Sequence, residues 1–538
     1  MKIFCTASSD TYVTNKIINS STRATDANVG RAGTIDLFKL YGETALPTGR
    51  ASGSADYALD TDADGTLETS IELSRAFIKF DFSKIQSLTG SKIDINSSNF
   101  SAKLKMFDVR TGHAVPSNFT LMAIPLSQSF DEGIGRDVAG FNDLDACNFI
   151  TASYSNGTVF AWNTEGAAKS GSLGATSVDL VETANFKDGS GTRRLVFQQN
   201  FVKGTEDLSL DITPFVSASV VGLITNHGFR LSFTGSEEKD AKSRFVKRFM
   251  TRHVTDLYLQ PRVEVSFDDS IVDHNQNFFF DVSGTLFLNS YGRVGLTHLV
   301  SGTAGSLSNI EGNNCLKLKL EKGLFSETVL ASQHKAATID RAGNNYVTGV
   351  YSASFSISAQ NTSLIDADTS LALFLAKNGS VTFDTYWVSS DGTYAYHTGS
   401  LEMKRAVRTG GNFLSNEPSI RAINVSQEYN RKDEVRVRLF GRDYQNEQNT
   451  SSKKSIKLKS VVYENVYYRI KDLDSGKIVI DFGESDKSTK VSTDVDGMFF
   501  DYHVDVLAAG RTYTFEYLIV ERNVRKIVKD NSVAFRVR

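Results

Sequence analysis

The acidic run Asp60-Thr61-Asp62-Ala63-Asp64-Gly65 sets carboxylates at alternate positions and a glycine at the sixth. Oxygens spaced this way can converge on a hard cation such as calcium, and glycine permits the turn that the convergence needs. The twelfth position of such a loop normally supplies a bidentate glutamate. Here it is Ile71, with Glu68 and Glu72 close by. Asp60, Asp62 and Asp64 are therefore the candidate calcium ligands, and a solvated acidic turn is the competing reading. Asp494, Asp496 and Gly497 form a shorter version in which a plain turn is the simpler account.

Other chemistry finds less support. The eight histidines are scattered without HxH or HxxxH spacing, and no GxSxG elbow, HExxH helix or phosphate-binding glycine loop is present. Paired carboxylates for glycoside cleavage can lie at any spacing, but no cleft-forming α/β framework is visible. We expect no catalytic residues, no enzymatic activity and no bound organic cofactor. The basic cluster Lys242, Arg244, Lys247, Arg248 and Arg252 is interleaved with Phe245 and Phe249. It could meet phosphates or an acidic partner, although a solvated strand flank with two core phenylalanines is the simpler expectation. Trp162 and Trp387, the latter beside Tyr386, are either sugar-stacking platforms or core filling.

The elements that would position these residues are strands. Phe100, Ala102, Leu104 and Met106 alternate with polar residues, as do Phe229, Leu231 and Phe233. Val435, Val437 and Leu439 repeat the pattern, and Tyr513, Phe515, Tyr517 and Ile519 mark one face of another strand. Period-two alternation predicts strands with one buried face. No helical period lasts beyond about two turns. A chain of 538 residues needs more than one core. Ile271 to Asn277 reads as a linker, and Thr409-Gly410-Gly411-Asn412 through Pro418 as a second break. The expected organisation is all-β, with domains at about 1–270, 271–412 and 413–538, the first carrying an inserted region at 133–174. The last has the length and turn spacing of an immunoglobulin-like sandwich, without its Cys…Trp…Cys core.

Cys5, Cys147 and Cys315 have no short spacing and predict unpaired thiols in a reducing compartment. The N-terminus turns polar at Thr6, so no signal peptide and no membrane-spanning stretch is expected. A net charge of −3 gives no global footprint for nucleic acid or an anionic membrane.

Several stretches also carry a resemblance. Asp10-Thr11-Tyr12-Val13, Asn28-Val29-Gly30, Arg75-Ala76-Phe77-Ile78-Lys79-Phe80-Asp81, Leu210-Asp211-Ile212-Thr213, Asn226-His227-Gly228-Phe229 and Pro261-Arg262-Val263-Glu264-Val265 occur in order. This series resembles the DNRLRE-type domain, a jelly-roll β-sandwich similar to carbohydrate-binding modules and found in surface and virion proteins. Asn277 to Phe287, Tyr386 to Thr393, and Ser492 to Asp501 through Val537 resemble structural proteins of tailed phages, particularly marine contractile-tailed ones. The resemblance implies three β-sandwich domains (jelly roll, central sandwich, Ig-like) in a virion protein of tail or baseplate type. It would be made in the host cytoplasm and would assemble with other virion proteins, as a homo-oligomer or by symmetric attachment. The alternatives are a glycan-binding fibre or adhesin recognising host glycans, and a head or neck decoration protein.

Overall fold

The computed structural model describes all residues except 20–21, 44–57, 60–68, 90–91, 111, 113, 187–190, 304–305, 336–345, 406–417, 444–459, 522–523 and 531. The architecture is all-β and of sandwich type. Among the described residues no α-helix exceeds eight residues, and none is long and apolar enough to cross a membrane. The proposed break at 409–412 lies outside the described residues. The chain divides into two compact units, one of Ile3–Ser87 with Ser101–Val265, the other of Met1–Lys2, Leu88–Phe100 and Ser266–Arg538.

The first unit is built on an 11-stranded sheet. Its main path runs Phe197–Phe201, Phe119–Pro125, Phe229–Phe233, Thr69–Phe80, Lys2–Thr14, Arg262–Ser266, Ser101–Met106 and Leu208–Asp211. The alternation in Ser101–Met106 holds, with Ala102, Leu104 and Met106 buried. Phe229–Phe233 departs from the expected single buried face, because all five of its residues are buried. It is a central strand, paired with Phe119–Pro125 on one side and Thr69–Phe80 on the other. Its second face lies under the segment that follows Phe149, so Arg230 donates from Nη1 to the Ala167 carbonyl at 2.8 Å.

That covering segment is the inserted region, and it is part of the core. Phe149, Trp162, Ala167 and Leu180 pack with Val13, Leu73, Phe77 and Ile124 of the sheet. Trp162 stacks on Phe77 with ring centroids 4.9 Å apart, and its indole N–H reaches the Asn148 carbonyl at 3.1 Å. A buried indole needs such a partner for its N–H.

In the second unit, seven strands run in the order Phe278–Phe279, Ala395–Lys404, Ser380–Ser389, Leu316–Lys322, Phe325–Lys335, Tyr346–Phe355 and Gly284–Asn289. Phe278–Phe279 and Gly284–Asn289 are near neighbours in sequence yet sit at opposite edges. The sheet curls far enough for Phe278 to stack on Phe355 at 4.7 Å. Its core contains Leu318, Phe325, Phe383 and Trp387.

After residue 418 a four-stranded and a six-stranded sheet form, and strand pairing stays within each. Phe500 of the first meets Tyr468 (4.1 Å, stacked) and Phe515 (5.3 Å, edge-on) of the second, which is sandwich packing. Tyr513, near the start of Thr512–Glu521, donates its hydroxyl to the Ala508 carbonyl at 2.9 Å. That local loop-back is the corner seen in immunoglobulin-like sandwiches.

Gly228 shows how closely the first sheet is packed. Its φ is +93°, and a Cβ there would lie 2.4 Å from the Ile78 carbonyl oxygen. Gly222 also has positive φ (+76°), but a Cβ there meets nothing within 4 Å. Gly222→Ala should cost about 1 kcal/mol from backbone conformation alone. Gly228→Ala should cost clearly more, about 2–3 kcal/mol, because backbone must move. Chemical denaturation of both variants checks this, and equal losses would contradict it.

Candidate functional site

Two of the ordered stretches, at Asp10 and at Asn28 to Gly30, meet the loop that carries Glu132. Asn28 donates from Nδ2 to the carbonyls of Glu132 (2.9 Å) and Cys147 (2.8 Å). Its Oδ1 accepts from the amides of Gly30 (3.3 Å) and Gly135 (2.8 Å). Four backbone groups of loops that strand pairing cannot satisfy are thus held by one side chain. At Gly30 the contact is tight enough that a Cβ would lie 1.8 Å from the Glu132 carbonyl oxygen.

This clamp presents Glu132 to Arg252, which binds it through Nε (2.6 Å) and Nη2 (2.5 Å). Asp10 lies alongside: its amide donates to Glu132 Oε1 at 3.0 Å, and its Oδ2 accepts from the Arg252 amide at 2.6 Å. Asp10 Oδ1 is buried without a hydrogen-bond partner. His253 places Nε2 3.2 Å from the Gly30 carbonyl and 3.5 Å from Glu132 Oε1. Burial pushes the Asp10 carboxyl up to about 7, opposed by the Arg252 amide and reinforced by Glu132. Burial would also raise Glu132, but the hydrogen bonds from Arg252 and the Asp10 amide outweigh it and hold that carboxyl below its ordinary value.

Asp10, Glu132 and His253 offer ligand atoms within 4.8 Å of one another, a set that could surround a cation. The guanidinium of Arg252 already supplies the positive charge, and both Glu132 oxygens are committed to it. The cluster is therefore a neutralised, half-buried ion pair with a buried protonatable neighbour in Asp10. The calcium ligands expected from sequence, Asp60, Asp62 and Asp64, lie outside the described residues.

Most of the basic cluster is paired within the fold rather than forming a solvated flank or a phosphate-facing patch: Arg244 and Lys247 are buried, Arg248 and Arg252 half-buried, and Lys242 is exposed. Lys247 is fully buried on Asp108 (2.5 Å) and the carbonyls of Gly204 and Glu206. Arg244 forks onto Asp240 at 2.8 and 2.6 Å, and Arg248 pairs with Asp36 at 3.1 Å. Phe249 is core as expected, whereas Phe245 is 51% exposed. A buried cation left unpaired would cost several kcal/mol, so each acquires a carboxylate or carbonyls. Trp162 and Trp387 are both core, so neither is a sugar platform.

The first unit also holds a cavity of about 560 Å³ lined by Arg75, Lys169, Arg194, Arg230 and Lys239 against Glu182 and Glu238. Arg75 and Glu238 are buried and form a two-point pair at 3.1 and 2.6 Å, and Arg75 also reaches the Gly166 carbonyl. Burial opposes ionisation of Glu238, yet Arg75 keeps its carboxyl below the usual range. The lining remains net cationic, and its volume falls within the range of small-ligand sites. It can hold a carboxylate- or sulfate-bearing ligand. Sequence alone marked Arg75 only as part of an ordered stretch, because the partners on the far wall come from residues 164–239.

No family model and no curated relative matches the sequence. Among solved structures, a titin fragment described as the anomalous substructure of Titin-A168169 is similar at 9% identity and TM-score 0.14. That match covers 50% of this chain and 95% of the fragment. Trypsin-activated α-2-macroglobulin from Escherichia coli is similar at 10% identity and TM-score 0.14, over 86% of this chain and 24% of that one. The BSP domain of a biofilm-associated protein is similar at 10% identity and TM-score 0.13, over 98% and 97% of the two chains. Scores this low carry no inference to function.

Asp10 makes the stability of the first unit depend on pH. Its carboxyl titrates near 7 when folded and at 3.8 by itself, so the folded state holds the proton more tightly. Stability falls as pH rises between those values, by an amount on the order of 4 kcal/mol. Asp10→Asn removes that slope while keeping an oxygen for the Arg252 amide. The variant should match the wild type near pH 4 and exceed it in melting temperature near pH 8. Parallel pH profiles would contradict the assignment.

Proposed function

We propose that this chain is a non-enzymatic virion structural subunit of a tailed phage, of tail or baseplate type, acting by protein–protein assembly. The observation that carries this reading is a rooted apolar hairpin. Strands Thr151–Ser155 and Thr158–Ala161 pair antiparallel, and every residue of the second is exposed. Val159 is 48% and Phe160 47% exposed, with Ile150 and Tyr154 also exposed beside them. The hairpin is anchored by Ala152 and Trp162 in the core. Val159 pairs across the hairpin with Tyr154 on one face and Phe160 lies on the other, so both faces offer exposed apolar side chains that suit a protein contact. The ordered stretches that resemble the DNRLRE-type domain agree with such a role, since their polar residues are spent on closing the fold. The partners are copies of this chain or other virion proteins, related by the cyclic symmetry that a tail imposes.

Replacing both exposed residues, Val159→Ser with Phe160→Ser, should leave the melting temperature within about 1 kcal/mol equivalent of the wild type. Incorporation into particles, measured by quantitative mass spectrometry of purified virions, should fall severalfold. Full incorporation would remove the hairpin from the assembly role. Hydrolysis of a capsular polysaccharide by the purified chain would overturn the non-enzymatic reading.

The cationic cavity favours a second reading, a fibre or adhesin that binds acidic host glycans through the first unit. Lys169 and Arg194 are exposed members of that lining. Lys169→Ala with Arg194→Ala should then weaken retention on heparin or alginate by about tenfold at low salt, with the difference shrinking at higher ionic strength. Retention that the substitutions leave unchanged would dismiss this reading.

A further inference from the structure

A cleft of about 540 Å³ opens in the second unit between the hairpin Val300–Thr303/Ser306–Asn309 and the turn that joins Ser380–Ser389 to Ala395–Lys404. Its floor is a pair of tyrosines. Tyr394 is 62% exposed and rests edge-on against Tyr396, with ring centroids 4.9 Å apart. Tyr396 donates its hydroxyl to the Val300 carbonyl at 3.2 Å, which ties the two walls together and sets the width of the opening. Tyr394 thus presents a large ring face to solvent on a braced cleft, available to a ligand.

The polar side of the cleft is Asp391. Its carboxylate accepts from the Ser389 hydroxyl, from the Thr393 amide at 3.1 Å and from the Thr393 hydroxyl at 2.8 Å. These donors hold it down to about 2, fully ionised at any working pH. A carboxylate offers about four lone-pair sites, so capacity remains for a ligand hydroxyl. Ser301 adds a hydroxyl that can donate or accept, and Val300 and Leu307 form the opposite apolar wall. Among the described residues no lysine or arginine lines the cleft. His298 also lines it, 3.5 Å from Glu311, so the cleft holds no permanent cation, which disfavours phosphate, sulfate and uronate ligands.

We propose that this cleft binds a neutral saccharide, with a pyranose face laid on Tyr394 and ring hydroxyls hydrogen-bonded to Asp391 and Ser301. The alternating chemistry of a sugar ring, C–H on one face and O–H around the rim, matches an aromatic floor beside a charged acceptor. A tyrosine platform costs little side-chain entropy when it engages, and the Tyr396–Val300 tie pre-orders the walls. The chemistry is opposite to that of the cationic cavity in the first unit, and the inference stands apart from the assembly reading.

The test uses the full chain on an array of neutral glycans, followed by titration of the best neutral oligosaccharide against tyrosine ring signals in NMR. The wild type should bind at least one neutral glycan. Tyr394→Ala should weaken it by at least about tenfold, and Asp391→Asn by severalfold, with melting temperatures unchanged. Tyr394 is an exposed side chain, so its loss leaves the fold intact. The same titration with tetramethylammonium separates a sugar floor from a cation cage. Binding of no neutral glycan, binding that survives Tyr394→Ala, or a response of Tyr394 to tetramethylammonium alone would each overturn the proposal.

Discussion

Arg252 holds both oxygens of Glu132 inside a protein whose net charge is only −3, and the first unit closes around that pair. Glu132 belongs to a loop, Asp10 to the opening strand, and Asn28 to the turn that clamps the loop in place. A buried carboxylate needs a cation with good geometry, or it protonates. Both outcomes occur here side by side: Glu132 obtains the guanidinium, and Asp10, left with one amide donor, is pushed towards the neutral form. The same demand explains Lys247 on Asp108, Arg244 on Asp240 and Arg75 on Glu238. Lys247 with Asp108 and Arg75 with Glu238 are cut off from water, so their position along the strand is set by the partner, while Asp240 and Arg252 stay partly exposed.

The amino-acid pattern made some of this legible. Alternation identified Ser101–Met106, whose buried residues fall at every second position, and the all-β class followed. In Thr512–Glu521 the expected face of Tyr513, Phe515, Tyr517 and Ile519 is buried, but so are Glu516 and Leu518 on the other. Alternation misjudged Phe229–Phe233, where Arg230 and Ser232 are buried as well, since burial of the second face depends on a segment more than fifty residues away. The basic cluster misled for a related reason. A lysine on a strand looks solvated until its carboxylate, here Asp108, is brought to it by the fold. Asp60, Asp62 and Asp64 had the right local spacing for calcium, but spacing alone carries that site. The Tyr394–Tyr396 floor left no local signal beyond two tyrosines at alternate positions, because its opposite wall comes from residues 298–307.

The surfaces that remain after these internal demands are met differ in kind. One is an apolar hairpin rooted by Trp162, one a cavity of net positive lining, and one a braced tyrosine cleft with a single carboxylate. A virion subunit that assembles by one surface and keeps others for ligands would use all three in this way.

The account is tested most directly by cryo-electron microscopy of the intact particle. It predicts density for the sandwiches of this chain in the tail or baseplate, repeated by the local symmetry, with Val159 and Phe160 covered by a neighbouring subunit and the Tyr394 cleft open to solvent. Particles that lack the chain, or a position in which Val159 and Phe160 face solvent while another surface makes the contact, would contradict it.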